Sequence, residues 1–150
     1  MKGNGKRPDA GTPDTQVAAL PWRRNALVEI LLVSSRETRR WVLPKGWPMK
    51  GRSLGQSAER EAHEEAGVEG EIAAAAIGRY RYMKRGKDGA RELSVDVFPM
   101  RVTRERKHWP EEDERTRRWV SVEEAANAVD EPELKALIRA FGATLGDAGA

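Results

Sequence analysis

Three glutamates lie close together near the middle of the chain, at Glu61, Glu64 and Glu65. On a helix, residues three and four positions apart share a face, so Glu61 would neighbour both of the other carboxylates. Carboxylates this close raise each other's pKa unless a cation binds between them. Oxygen ligands at this density suit Mg²⁺ or Mn²⁺, which retain waters and bridge substrate phosphates. The cluster therefore indicates a divalent metal site, although glutamate-rich helices near an arginine are more often solvated, salt-bridged faces.

The segment around these glutamates favours the metal site over the solvated face. We predict a helix over residues 57–66, because small apolar residues recur every four positions and Gly67 supplies a C-terminal stop. At roughly 100° per residue, Glu61 and Glu65 lie along one edge of this helix and the third glutamate points further toward solvent. The preceding loop, residues 46–55, contains three glycines and a proline and can fold back over that edge.

Several extended segments are predicted where apolar, β-favouring residues run between charged or turn-forming residues. They are residues 26–35, a short strand that ends at Pro44, residues 71–83, residues 93–102, and the pair Trp119 and Val120. Asp88-Gly89 lies between two of these segments and signals a hairpin turn.

Two further helices are predicted near the C-terminal end. Ser121 and Glu124 form a capping box at the start of the first, and Pro132 lies in the first turn of the second. The second helix has an apolar stripe formed by Leu134, Leu137, Ile138 and Phe141. Strands mixed with a few helices predict an α/β fold in which helices cover a sheet on both sides.

The composition limits the class of protein. The 150 residues are 39% hydrophobic and 34% charged, which fits one globular domain with a charged surface. We predict a flexible N-terminal arm over residues 1–15, the domain over residues 16–143 and a flexible tail over residues 144–150. No apolar run reaches the roughly 20 residues that span a bilayer. There is also no cysteine and no recognisable secretory signal, so we expect a cytoplasmic protein without a membrane partner.

The charge of the chain favours anionic ligands. A formal net charge of +3 and a pI near 9.4 suit phosphorylated partners. Aromatic residues make up only 6% of the chain, and no basic and aromatic cluster resembles a base-stacking platform. A nucleic-acid partner is therefore not expected, while a monomer and a homodimer both stay open.

Residues 46–68 resemble the signature of the Nudix hydrolase family. Gly46 is followed, after thirteen residues, by the run REAHEEAGV. The positions that match the signature are Arg60, Glu61, Ala62, Glu64, Glu65, Gly67 and Val68. With the order of the flanking elements, the resemblance spans roughly residues 17–141. It implies a Nudix-type α/β/α sandwich, with a mixed central sheet and helices on both faces.

The resemblance also implies roles for individual residues. Glu61 and Glu65, with the backbone at Gly46, would bind Mg²⁺, or Mn²⁺ in its place. Glu64 would accept a proton from the attacking water, and the signature arginine, Arg60, is the other expected catalytic residue. In some members the base comes from a later loop or strand. Four acids are then candidates here: Glu92, Glu111, Glu112 and Glu114.

One position departs from the family pattern. Arg52 stands where the signature has a glutamate, which is thought to support the signature arginine and to assist the metal site. Two positive charges, Arg52 and Arg60, then compete where the family has an ion pair. This departure motivates an alternative hypothesis, in which the domain binds a phosphorylated ligand without cleaving it.

Residues outside the signature indicate a substrate class by the same resemblance. Ser34, Ser35 and Arg36 match a substrate-contacting run of the diphosphoinositol polyphosphate and diadenosine polyphosphate branch, and Arg115 matches a phosphate-binding arginine. Lys45 is instead similar to the lysine of asymmetrical dinucleoside tetraphosphate hydrolases. The resemblance thus implies an Mg²⁺-dependent pyrophosphohydrolase acting on a small-molecule polyphosphate of one of these kinds. A pyrophosphohydrolase of nucleoside triphosphates or RNA 5′ ends is a further alternative.

Overall fold

The computed structural model describes residues 14–146. Residues 1–13 and 147–150 lie outside the described part, and with them most of the predicted arm and tail. The strands are β1 (Thr15–Arg24), β2 (Val28–Ser34), β3 (Trp41–Val42), β4 (Lys45–Gly46), β5 (Val68–Ile72), β6 (Gly78–Gly86), β7 (Gly89–Glu105) and β8 (Arg117–Ser121). The helices are α1 (Leu54–Glu61), which continues as a π-helical turn (Ala62–Ala66), α2 (Val122–Ala128) and α3 (Pro132–Thr144).

The sheet is mixed, as predicted, with β1 near its centre. β1 pairs in parallel with β7, and it pairs antiparallel with β4 near its start and with β2 at its end. β7 is long enough to take β5 and β6 in succession as antiparallel partners. The pairing of β4 with β1 brings the start of the glycine-rich loop beside the acidic helix.

Helices cover both faces of this sheet. α2 and α3 pack on one face in a core cluster that includes Leu20 and Ile138. α1 packs on the other face in a cluster that includes Val17 and Ala58. Val17 and Leu20 belong to one strand and enter opposite clusters because successive strand side chains point to opposite faces. The predicted α/β/α sandwich is confirmed. In the described range, no helix combines the length and apolar character needed to cross a bilayer.

Local signals in the sequence are confirmed at three places. Ser121 caps α2, where its side chain accepts a hydrogen bond from the Glu124 N–H and the Glu124 side chain bonds back to Ser121. Pro132 opens α3. The hairpin between β6 and β7 turns at Asp88, and Gly89 adopts a φ of 97°, in the left-handed region that favours glycine.

The acidic helix begins three residues earlier than predicted. Ser53 and Gln56 form a capping box that the sequence analysis missed, so α1 starts at Leu54. The last turn also departs from regular α-helical geometry, because Ala62–Ala66 is π-helical. Turns of this kind are rare and occur often at functional sites.

The prediction of one strand over residues 71–83 is wrong. β5 ends at Ile72 and β6 begins at Gly78, and the alanine-rich residues between them leave the ladder. Ala73 N donates to Pro99 O at 2.8 Å, and Ile77 N donates to Val97 O at 2.8 Å. Residues 74–76 lie between these two hydrogen bonds, whereas β7 moves only from Pro99 to Val97 over the same distance. The extra residues therefore bulge out of the sheet. Alanine has a low strand propensity, which is consistent with its place in a bulge between two strands.

The acidic helix stops at Gly67, which has a φ of 67°. A Cβ atom at this position would lie 2.6 Å from Trp109 Cδ2 and 2.8 Å from Arg117 Nη1. Gly67 is thus required both for its left-handed backbone and for the close approach of two side chains, one from the loop ahead of β8 and one from the start of β8.

We expect Gly67→Ala to destabilise the fold more than Gly51→Ala. Gly51 also has a left-handed φ, of 80°, but a Cβ there meets no atom within 4 Å. Backbone strain alone costs roughly 1 to 2 kcal/mol at either glycine. The overlap with Trp109 and Arg117 should add about 1 to 3 kcal/mol at Gly67. Urea unfolding of both variants measures this difference, and equal losses of stability would contradict the overlap.

Candidate functional site

The acidic edge forms where the π-helical turn passes beside β4. Glu65 is only 6% exposed, whereas Glu61 and Glu64 are partly buried. Glu61 and Glu65 lie close enough for each carboxyl to affect the pKa of the other. A Cβ at Gly46 would overlap the Glu61 carboxyl, so the absence of a side chain there makes room for it. The Lys45 N–H donates to Glu65 Oε1 at 3.3 Å.

Burial dominates the electrostatics of this pair. The pKa of Glu65 is raised to about 8, chiefly by burial; Glu61 and Glu111 contribute to the rise, while Arg115 and Lys45 act in the opposite direction. Burial also raises the pKa of Glu61, with Glu64 and Glu111 adding to the effect. Without a bound cation, the pair therefore retains a proton near neutral pH.

The donor set of this edge fits a hard divalent cation. Its side-chain ligands would be the carboxylate oxygens of Glu61 and Glu65. The pKa values of these two carboxyls are raised, so a bound cation in place of the proton would stabilise their charged forms. Nowhere in residues 14–146 do three or more acidic or histidine side chains converge as a fuller metal-ligand group. Mg²⁺ is compatible with so few protein ligands, because it keeps several waters and takes further oxygens from substrate phosphates.

Arg115 reaches the acidic edge from a distant loop. Its Nε donates to Glu111 Oε1 at 2.7 Å, its Nη1 donates to Ser34 O at 3.2 Å, and its Nη2 lies 3.6 Å from Glu65 Oε2. The side chain is only 10% exposed. The predicted phosphate-binding arginine thus contacts the carboxylates themselves, in a position where it partly neutralises them.

A cleft of about 610 Å³ opens beside Glu65. Four of the residues predicted to bind substrate line it, namely Ser35, Arg36, Lys45 and Arg115. Three more basic residues join them: Arg40, Lys84 and Arg85. The acidic side chains Asp130 and Glu131 also line the cleft, and both lie close to Arg40 Nη1, at 2.6 and 3.6 Å. The cleft is therefore rich in cations, and several of them already have acidic partners.

Ser34 and its neighbours have different surroundings. Ser34 is buried, and its hydroxyl accepts a hydrogen bond from the Thr116 N–H at 2.9 Å. Ser35 Oγ bonds with Thr38 Oγ1 at 2.5 Å. Arg36 Nη1 donates to Glu114 Oε1 at 2.9 Å at an exposed position. Ser34 thus ties β2 to the loop ahead of β8, while Ser35 and Arg36 remain at the wall of the cleft.

Lys45 is held differently from the other cations of the cleft. Its Nζ lies 4.8 Å from the centroid of the Tyr82 ring, and within the described residues it has no hydrogen-bond or ion-pair acceptor. Burial lowers the pKa of Lys45, while the negative charges of Glu65 and Glu131 oppose this shift. A partly desolvated ammonium without an acceptor is well suited to an incoming anion.

Arg60 and Glu64 lie on the outer side of the helix. Arg60 Nε donates to Glu64 Oε2 at 2.7 Å, which is the spacing expected for a helical i, i+4 pair. Arg52 is exposed, and in the described part of the chain its side chain forms no ion pair. The two predicted catalytic residues are therefore bonded to each other, and Glu64 is more exposed than its neighbour Glu65.

Among the four acids considered as alternative bases, the structure brings Glu111 to the site. Its charge raises the pKa of both Glu61 and Glu65. Glu112 instead bonds with His108 at 2.9 Å, and Glu114 bonds with Arg36. Glu92, the fourth candidate, lies on β7 and is exposed. The i, i+4 spacing of Glu111 and Arg115 is a sequence signal for their pairing, but Glu114 and Arg118 have the same spacing, so it could not have singled out this acid.

Tyr82, Trp109 and Arg117 are residues of the site that the sequence analysis missed. Tyr82 supplies the ring beneath Lys45, and its hydroxyl donates to Gln16 Oε1 at 2.6 Å. Trp109 Nε1 donates to the carbonyl of Glu65 at 3.1 Å, and Arg117 Nη1 donates to the carbonyl of Ala66 at 2.9 Å. No local pattern could have revealed these contacts, because each joins segments far apart in the chain.

Comparisons with known proteins agree with this architecture. Nudix hydrolase 4 of Arabidopsis thaliana is 32% identical over 117 residues, which cover 77% of this chain and 54% of that protein. The chain spans between half and two thirds of the length of the first such relatives. Among solved structures, Ap4A hydrolase of C. elegans superposes with a TM-score of 0.62 at 21% identity, covering 87% of this chain and 97% of that one. Dihydroneopterin triphosphate pyrophosphohydrolase of E. coli superposes with a TM-score of 0.70 at 15% identity, covering 90% of this chain and 99% of that one.

The family model described as the NUDIX domain matches residues 13–141, which is most of the chain and includes every strand and the acidic helix. This match agrees with the signature at residues 46–68 and with the sandwich fold. The chain belongs to the Nudix family.

Proposed function

We propose that this protein is a divalent-metal-dependent pyrophosphohydrolase that cleaves a diphosphate linkage in a small polyanionic substrate. The observation that carries the proposal is a pair of carboxyls: Glu65 is buried and lines the cation-rich cleft, and Glu61 is partly buried against Gly46. A solvated, salt-bridged face would not keep Glu65 at 6% exposure next to a second carboxyl. Such a pair is stable in a folded protein when a proton or a cation offsets the repulsion.

Glu61 and Glu65, with the Gly46 backbone, would hold Mg²⁺ or Mn²⁺. When bound, the cation would neutralise phosphate oxygens and stabilise charge on the leaving phosphate. Lys45 would bind a phosphate oxygen, since its ammonium lies in the cleft without an acceptor among the residues described. Arg115 would be the second phosphate-binding cation, because it lines the same cleft.

Glu111 is our preferred acceptor for the proton of the attacking water. Its carboxylate is held by Arg115 at 2.7 Å and acts on the pKa values of both buried glutamates. Glu64, which the family resemblance favours, is bonded to Arg60 on the outer side of the helix. A base must lie within hydrogen-bonding reach of the water, and Glu111 is favoured because its partner Arg115 lines the cleft beside Glu65.

The lining of the cleft favours a substrate recognised by charge. Tyr82 is the single aromatic side chain that lines it within residues 14–146, and Lys45 covers a face of its ring. An adenine would therefore have no free ring to stack on, whereas clustered phosphates would meet Arg36, Lys84 and Arg85. We accordingly favour diphosphoinositol polyphosphates over diadenosine polyphosphates. The cytoplasmic location and the monomeric or homodimeric state stay predictions.

The proposal is tested with a panel of diphosphoinositol polyphosphates, diadenosine polyphosphates, nucleoside triphosphates and 5′-triphosphate RNA, with and without Mg²⁺. We expect turnover only with the metal, highest on the diphosphoinositol compounds. Glu65→Gln should lower kcat/KM at least about 100-fold, because it removes a metal ligand. Glu59→Gln, on the opposite edge of the same helix, is the matched control and should match the wild type. Ligand binding without any metal-dependent turnover would instead support the non-catalytic alternative.

The stability of the metal-free protein should fall as the pH rises from about 5 to 8. Glu65 has a folded-state pKa of about 8 against an ordinary value of 4.5. Between these values the unfolded chain has lost a proton that the folded protein still binds, so each rise in pH favours unfolding. Thermal unfolding in chelator measures the slope. Glu65→Gln should flatten it, and excess Mg²⁺ should remove it. A wild-type Tm that stays constant or rises over this range would contradict the buried pair.

Two variants separate the candidate bases. We expect Glu111→Gln to lower kcat by roughly 100- to 10,000-fold with little change in KM, because general-base catalysis contributes by this factor. Glu64→Gln should have a smaller effect on kcat. Steady-state kinetics at saturating Mg²⁺ measures both. A larger loss in Glu64→Gln than in Glu111→Gln would assign the proton transfer to Glu64.

A further inference from the structure

The C-terminal end of the acidic helix is capped by one distant segment of the chain. Four consecutive carbonyls, those of residues 64–67, accept hydrogen bonds from residues 106–117. The donors are Glu111 N to Glu64 O at 3.0 Å, Trp109 Nε1 to Glu65 O at 3.1 Å, Arg117 Nη1 to Ala66 O at 2.9 Å and Arg106 N to Gly67 O at 2.7 Å. The last carbonyls of a helix have no partner within the helix, so these bonds satisfy groups that would otherwise need water. We call this set the helix clamp.

Arg117 connects both sides of the helix clamp. Besides its bond to Ala66 O, its Nη1 lies 3.3 Å from Gly67 O and its Nη2 donates to Arg106 O at 2.7 Å. The guanidinium also lies over the Trp109 ring, 3.9 Å from the centroid. A planar fork can donate in several directions while it stacks on a ring, and a lysine ammonium cannot. The lack of a side chain at Gly67 leaves room for this stack.

The helix clamp fixes two parts of the site relative to each other. Trp109 bonds to the backbone of Glu65, the more buried of the two carboxylates. Two residues further along, the Glu111 backbone bonds to Glu64, and its side chain pairs with Arg115. The loop that carries Glu111 and Arg115 is thereby attached to the turn that carries Glu65. Displacement of one would displace the other.

We propose that Trp109 and Arg117 are positioning residues, which hold Glu65 and Glu111 in register through the helix clamp. This inference rests on the proposed metal site at Glu61 and Glu65. Neither Trp109 nor Arg117 lines the cleft, so their effect is transmitted through the backbone of the helix end. Outer partners that orient metal ligands commonly affect metal affinity or activity by 10- to 100-fold.

The test compares Arg117→Lys and Trp109→Phe with the control Arg118→Lys, on the neighbouring exposed position of β8. Mn²⁺ binding to the metal-free protein, followed by calorimetry without substrate, is the first readout. We expect affinity to fall about 10-fold in Arg117→Lys and in Trp109→Phe, which keeps the ring but loses the Nε1 donor. Arg118→Lys should bind as the wild type does. At saturating metal, kcat should stay lowered, because Glu111 is displaced as well.

The outcomes distinguish this inference from the proposed function. Wild-type protein that binds no Mn²⁺ would overturn the metal site and the positioning role together. If the wild type binds Mn²⁺ and both clamp variants match it in affinity and kcat, the positioning role alone is overturned. Circular dichroism and Tm are measured for every variant. If Arg117→Lys does not fold, Trp109→Phe alone decides the result, since it removes one hydrogen bond and keeps the stacked ring.

Discussion

The burial of the Glu65 carboxyl beside Glu61 is the interaction on which the rest of the site depends. A carboxylate at 6% exposure next to another carboxylate is unfavourable by itself, and the raised pKa of about 8 expresses this. The surrounding structure nevertheless keeps it there. β4 pairs with the centre of the sheet at Val17 and places Gly46 against the pair, and the packing of α1 on the sheet fixes the other side.

The protein offsets part of this repulsion with its own cations. Arg115 lies 3.6 Å from Glu65 and 2.7 Å from Glu111, and the Lys45 ammonium also favours the charged form of Glu65. The offset is incomplete, since the pKa of Glu65 remains well above its ordinary value. The site therefore keeps a preference for an additional positive charge while providing cations that can bind phosphate.

Arg52 shows how a departure from the family signature is accommodated. The sequence predicts competition between Arg52 and Arg60, because the family has a glutamate at the first position. In the structure Arg60 is paired with Glu64, within its own helix, and Arg52 is exposed to solvent. The positive charge at Arg52 is thus hydrated, so its repulsion of Arg60 destabilises the fold only slightly. The buried pair Glu61 and Glu65 is shaped by other neighbours.

Much of the fold could be predicted because its signals are local. The helix with its glutamates, the stop at Gly67, the capping box at Ser121 and the turn at Asp88 each depend on residues a few positions apart. The strand prediction that was wrong depended on pairing between distant segments. The run over residues 71–83 looks extended throughout, but whether it stays in the ladder is decided by its partner β7.

The sequence by itself determined which carboxylates lie on one edge of the helix, because helical periodicity is a property of consecutive residues. It also determined that a glycine precedes them and that cations are plentiful. Tertiary structure alone decided that Glu65 is buried, that Glu111 and Arg115 reach it, and that Trp109 and Arg117 cap its helix. Burial and the approach of distant charges set the pKa of a carboxyl, and both arise only when segments far apart in the chain pack together.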